Sequence, residues 1–199
     1  MKIIIVGGNG TIGTVVRKFL EKDGHIISVG RNSGQYQVDM TDPKSIKALF
    51  EKTGKFDALV VAAGDVAFAP LAQLTTDHWE TGIRSKFMGQ VNLVQIGQEY
   101  INDKGSITLT SGILTNAFIA AGTSATSINR AIEGFAQAAA TEIGRGIRIN
   151  VVSPGMLEES AEAYGPFFPG HIPVPSCRVA QSYRRSVMGV ETGKIFQVN

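Results

Sequence analysis

Seven residues near the amino terminus have the types and spacing to hold a phosphate. Gly7-Gly8-Asn9-Gly10-Thr11-Ile12-Gly13 places glycines three apart at Gly7, Gly10 and Gly13. It follows a β-branched run and precedes a helical pattern, the setting in which a glycine loop turns sharply, approaches a pyrophosphate and aims helix N–H groups at it. The second predicted strand ends at Gly30-Arg31-Asn32-Ser33. A carboxylate at that point would favour the ribose 2′-hydroxyl of NAD(H), whereas an arginine suits a 2′-phosphate, so Arg31 favours NADP(H), with Asn32 and Ser33 as further donors. The alternative is that Arg31 is a solvated loop residue. His25, His78 and His171 have no second histidine or cysteine at ligand spacing, so no metal site is expected. Glu158-Glu159 suits the start of a helix, and Phe167-Phe168 could pack locally, cover a pocket or touch a second subunit.

Those residues need a scaffold that brings loops together at one edge. Ile3-Ile4-Ile5-Val6 is apolar on both faces, as in a strand buried inside a parallel sheet. Ile12, Val15, Val16, Phe19 and Leu20 then form one stripe of a helix that should stop near Asp23-Gly24. The alternation continues with strands at 25–30 and 35–39, and a helix capped by Asp42 with Pro43 at its first position. A strand at 58–63, a long helix at 77–101 and a strand at 106–110 follow. The pattern ends with a helix at 123–143 and a strand at 148–152, then a helix at 179–188 and a strand at 195–198. Segment 156–175, with its Gly and Pro residues, reads as a loop over the end of the sheet. Strands alternating with helices predict an α/β, Rossmann-type doubly wound parallel sheet with helices on both faces, one domain over residues 1–199.

Composition limits the partners. Nineteen basic and 17 acidic residues give a formal charge of +2 with no basic stripe, which argues against nucleic acid or an anionic membrane. No apolar run reaches a membrane span or a secretory segment. The single cysteine, Cys177, fits a reducing cytoplasm, the expected location.

Over most of its length the chain resembles the short-chain dehydrogenase/reductase family. The glycine loop, Val38-Asp39, Ala62-Ala63-Gly64, Gly105-Ser106-Ile107-Thr108 leading to Ser111, and Ile147-Arg148-Ile149-Asn150-Val151-Val152-Ser153-Pro154-Gly155 occur in family order. The resemblance implies that Asp39 binds the adenine, that Ala63 and Gly64 pass beneath the cofactor, and that Pro154 and Gly155 lie beside the nicotinamide. It also implies that Ser111 polarises a carbonyl of a small-molecule substrate, and that the chain is a homodimer or homotetramer. The family's catalytic tyrosine and the lysine four residues later are not at their places. Ala125 and Asn129 stand there, and Lys86 stands where the family has an asparagine. The only Tyr-x-x-x-Lys, Tyr100 to Lys104, should lie at the opposite end of the sheet.

Asn129 could still bind a ribose hydroxyl but could not supply a cation. A different polar site built from Lys86, Ser111, Thr115, Asn116 and Ser124 is conceivable, though no spacing demands it. Without a positioned acid, worth about 10² to 10⁴ in rate, ordinary carbonyl reduction should be weak or absent. The resemblance therefore implies an NADP(H)-binding oxidoreductase with an incomplete catalytic set. The alternative is a non-catalytic dinucleotide-binding sensor or scaffold.

Overall fold

A computed structural model describes residues 1–199. Seven strands form one sheet: β1 (Lys2–Val6), β2 (His25–Gly30), β3 (Tyr36–Gln37), β4 (Phe56–Val61), β5 (Ile101–Thr110), β6 (Arg148–Pro154) and β7 (Ile195–Val198). They lie in the order β3-β2-β1-β4-β5-β6-β7, and every pairing is parallel. The order reverses between β1 and β4, the point at which open α/β sheets form a crevice beyond their carboxyl strand ends.

The helices are α1 (Thr11–Leu20), α2 (Pro43–Thr53), α3 (Thr76–Thr81), α4 (Gly89–Gly97), α5 (Thr123–Glu142), α6 (Ala161–Tyr164) and α7 (Ser176–Met188). They cover both faces of the sheet. Ile4 and Val6 join one core cluster with Leu93, Ile128 and Ile132, while Ile3 and Ile5 join the other with Val16, Val179 and Tyr183. Alternate side chains of β1 thus feed two separate cores, which explains why its run is apolar throughout. Asp42 caps α2 by accepting from the Lys44 N–H at 2.9 Å.

Several boundaries differ from the sequence pattern. The third strand shrinks to Tyr36–Gln37 because the flanking side chains bind locally: Gln35 accepts from the Ser28 N–H, and Asp39 closes a turn with Thr41. The fourth runs from Phe56 to Val61, ending earlier than 58–63, and β5 begins at Ile101 rather than 106. The helix expected over 77–101 is three pieces: α3, a π-helical stretch Gly82–Met88, and α4. Close packing accompanies the wider winding. A Cβ on Gly82 would lie 2.8 Å from Ile128, and one on Gly89 2.5 Å from the Met40 methyl. Segment 156–175 is not featureless; it holds α6 between two short 3₁₀ turns, tied down by a bridge between Leu157 and Val174.

Candidate dinucleotide and substrate cleft

The glycine loop connects β1 to α1. Gly7 has φ +83°, in the left-handed region, and its N–H donates to the Val29 carbonyl at 2.8 Å. A Cβ on Gly13 would fall 2.0 Å from the Gly7 carbonyl oxygen, so only glycine lets the first turn of α1 close onto the loop. Gly10 has no side chain to cap α1, and within α1 the first N–H bonded back along the chain is that of Thr14, to Gly10. The N–H groups of Thr11, Ile12 and Gly13 are thus left for an anion, with the positive end of the helix dipole behind them. Asn9 is occupied differently, its Oδ1 accepting from the Ser28 hydroxyl at 3.0 Å, which braces the loop against β2.

Two cavities meet this loop at Gly7 and at Thr11 and Ile12. One, of about 220 Å³, is lined by Gly7, Gly30, Arg31, Val38, Ala63 and Gly64, among others. Arg31 is exposed at its edge. Asn32 and Ser33 are exposed on the adjoining turn, outside the lining. Asp39 is also outside it. Thr41 donates to Asp39 Oδ1 through its N–H at 2.9 Å and its hydroxyl at 2.7 Å. These bonds, with a smaller contribution from the Arg31 charge, hold the carboxyl below the usual carboxylate range.

The second cavity, of about 360 Å³, starts at Thr11 and Ile12 and includes Lys86, Ser111, Ala125, Asn129, Pro154 and Gly155. Its remaining walls are mostly apolar, with Val66, Phe68, Ile113, Leu114, Met156 and Phe168. Ser111 sits just beyond β5, held by its own N–H to Val152 at 3.0 Å. The preceding Thr110 is clamped by the buried amide of Gln90, with one bond in each direction at 3.0 Å.

The Ser111 hydroxyl donates to Glu133 Oε1 at 2.9 Å. Glu133 is 2% exposed, on the same face of α5 as Asn129 and one turn further along. Its other oxygen lies 3.6 Å from Arg130 Nη1. The hydroxyl hydrogen of Ser111 therefore points to a buried carboxylate, leaving its oxygen as an acceptor. Sequence reasoning overlooked Glu133. The signal was available, since an acid four residues after Asn129 falls on the inward stripe of a helix otherwise rich in alanine.

Lys86 lies in the π-helical stretch, and its Nζ donates to Asn129 Oδ1 at 2.7 Å and to the Ser111 carbonyl at 3.1 Å. Its stem packs against Gly64, where a Cβ would come within 2.6 Å of Lys86 Cγ. No carboxylate forms an ion pair with it. Desolvation of this uncompensated cation pushes its pKa down to about 8. Of the other members of the conceivable polar site, Thr115 and Ser124 are buried with hydroxyls lacking partners, and Asn116 is exposed, accepting from Arg130. None of the three lines the cavity. Tyr100 and Lys104 lie at the amino end of β5, with Tyr100 stacked on Phe50, across the sheet from Ser111.

The sequence profile described as Enoyl-(Acyl carrier protein) reductase matches residues 15–170. The protein lin1944 of Listeria innocua has a crystal structure that is similar over all of both chains, at 47% identity and a TM-score of 0.99. A small-chain dehydrogenase crystallised in complex with NADPH is similar over 100% of this chain and 96% of its own, at 29% identity and a TM-score of 0.88. The 3-oxoacyl-(acyl-carrier-protein) reductase FabG of Thermotoga maritima is 29% identical over 130 residues, which are 62% of this chain and 53% of that protein. The matched stretch therefore spans about half the length of that reductase. No helix is long and apolar enough to cross a membrane.

Proposed function

Because the chain belongs to the short-chain dehydrogenase/reductase family, we propose that it is an NADP(H)-dependent oxidoreductase acting on a carbonyl or alcohol of a small, largely apolar molecule. The observation that carries this reading is the placement of the uncapped α1 terminus between two cavities at the strand-order reversal. That arrangement suits a ligand with a pyrophosphate in the middle and a ring system at each end. When bound, the dinucleotide supplies or accepts a hydride.

The chain's own residues do the rest. Thr11, Ile12 and Gly13 N–H groups bind the pyrophosphate, and Arg31 meets the 2′-phosphate. Ala63 and Gly64 form the floor, with Asp39 toward the adenine. Asn129 Nδ2, which has no acceptor in the chain, is free for a ribose hydroxyl, and Pro154 and Gly155 close the nicotinamide end. Apolar walls around Phe68, Leu114 and Phe168 exclude water and set the preference for an apolar substrate. The NADPH-bound relative supports the choice of coenzyme. The same reading carries self-association through α4 and α5, consistent with the exposed Ile83 and Met88 just before α4.

A second reading, a non-catalytic dinucleotide-binding sensor or scaffold, is favoured by Ala125, which has no proton to give, and by the committed Ser111 hydroxyl. A fluorescence titration with NADPH, followed by coenzyme consumption against a panel of aldehydes and ketones, separates the two. Saturable binding with turnover supports the first, and binding without turnover the second. Absence of saturation up to about 1 mM NADPH, the upper end of ordinary enzyme affinities, sinks both.

A further inference from the structure

The ammonium that position 129 of α5 lacks comes instead from the neighbouring π-helical stretch. Asn129 occupies the helix position at which the resemblance calls for a lysine, and Lys86 the position at which it calls for an asparagine. The two side chains meet at 2.7 Å, so their exchange keeps an ammonium and an amide in contact at this site.

An ammonium has three N–H donors. Two are used here, by Asn129 Oδ1 and the Ser111 carbonyl, and the third has no acceptor in the chain although Lys86 lines the 360 Å³ cavity. Ala125 lines the same cavity, so a methyl group borders the space a larger side chain would fill. Ser111 cannot donate into that space while its hydrogen is held by Glu133. From these contacts we infer that Lys86 is the proton donor of this site, delivering a proton from Nζ to the oxygen of a carbonyl bound in the cavity. The inference rests on the oxidoreductase reading above.

Reduction adds a hydride to the carbonyl carbon, from the dinucleotide of that reading, and a proton to the oxygen. Lys86 performs the second step. The new O–H bond forms as an Nζ–H bond breaks, and the bonding pair stays on nitrogen. The neutral amine then regains a proton from water at the cavity mouth. In the oxidative direction the neutral amine takes the alcohol proton. A pKa near 8 suits both directions close to neutral pH.

Other charged or titratable groups surround the amine. Glu133 and Arg130 come from α5, Asp65 from the segment after β4, where it is bonded to Ser85, and Tyr164, 55% exposed, lines the cavity from α6. The test must therefore assign the titration to Lys86. With ¹³Cε-labelled lysine in the coenzyme-free protein, the NMR signal absent from Lys86→Met should titrate with a midpoint of about 8.

In kinetics, Lys86→Met should lose about 100-fold or more in carbonyl reduction while binding NADPH within about threefold of the parent. The parent's rate should fall as pH rises through about 8. Asn129→Asp, which sets a carboxylate beside the ammonium, should move that limb upward by about one pH unit or more. Tyr164→Phe should leave the limb where it is. If Lys86→Met does not fold, Lys86→Gln and the Asn129→Asp profile carry the same comparison.

The inference is overturned if Lys86→Met reduces carbonyls at the parental rate, if Asn129→Asp leaves the limb in place, or if Tyr164→Phe abolishes it. A borohydride-trapped adduct on Lys86 overturns it too, by making the amine a nucleophile, as does a parent that binds NADPH and reduces nothing. Failure to bind NADPH at all removes the oxidoreductase reading instead.

Discussion

Replacing Arg31 with alanine should weaken NADPH binding selectively. Arg31 is exposed at the edge of the 220 Å³ cavity, so its contact with a 2′-phosphate would be screened by water. Hydrogen bonds to charged groups contribute about 1.5–3 kcal/mol. Two features place this contact near the lower end. The guanidinium is solvated, and Asp39 lies close enough to feel its charge, so part of its field is already answered. An expected loss of about 1.5–2 kcal/mol corresponds to roughly 10- to 30-fold in Kd. NADH has a hydroxyl in place of the phosphate and should change by less than about twofold on the same argument. Parallel titrations of parent and Arg31→Ala with both coenzymes, at low and at high salt, give the answer. The NADPH penalty should shrink as salt rises. Equal weakening of both coenzymes, or none of either, would refute the assignment of the 2′-phosphate to Arg31.

Four further outcomes follow from the packing. Gly13→Ala drives a Cβ to 2.0 Å from the Gly7 carbonyl and should cost about 3 kcal/mol or more, seen as a fall in Tm of roughly 6–12 °C. Glu133→Ala strips the acceptor from the buried Ser111 hydroxyl and should cost about 1–3 kcal/mol in urea unfolding; an unchanged midpoint would mean that the hydroxyl finds another partner. Alkaline stability should depend on Tyr183, whose burial raises its phenol pKa well above the ordinary 10.0, while its hydroxyl stays bonded to Thr110. The unfolded chain then releases this proton first, so above pH 10 stability should fall by up to about 1.4 kcal/mol per pH unit, a slope that Tyr183→Phe removes. Lys86 acts with the opposite sign. Its folded pKa of about 8 lies below the ordinary 10.5, so between those values the unfolded chain holds more protons and stability should rise with pH. Lys86→Met should abolish that rise.

The architecture was legible in the chain because its signals are local. Ile3 to Val6 is apolar on both faces only because it lies between two cores, and Asp42-Pro43 begins a helix through its own geometry. The glycine spacing around Gly7 and Gly13 reports a loop closed so tightly that no Cβ fits. Positions 125 and 129 were readable as lacking a phenol and an ammonium. The joining of Lys86 to Asn129 was not readable, because 43 residues and a break in helical winding separate them. A periodicity of 3.6 assumed through 77–101 gives the wrong facing for whatever follows the π-helical stretch. Nor could composition show that Ser111 turns its hydrogen to Glu133, since that bond depends on how β5 and α5 pack.

Residue types and short-range spacing thus determined the sheet, its helices and the glycine turn between β1 and α1, for each of these is settled within one or two elements. Which partners Lys86 and Ser111 meet in the cleft was decided by tertiary structure alone. An amine's proton affinity depends on the water it loses and on the acceptors it meets, and both come from elements distant in the chain.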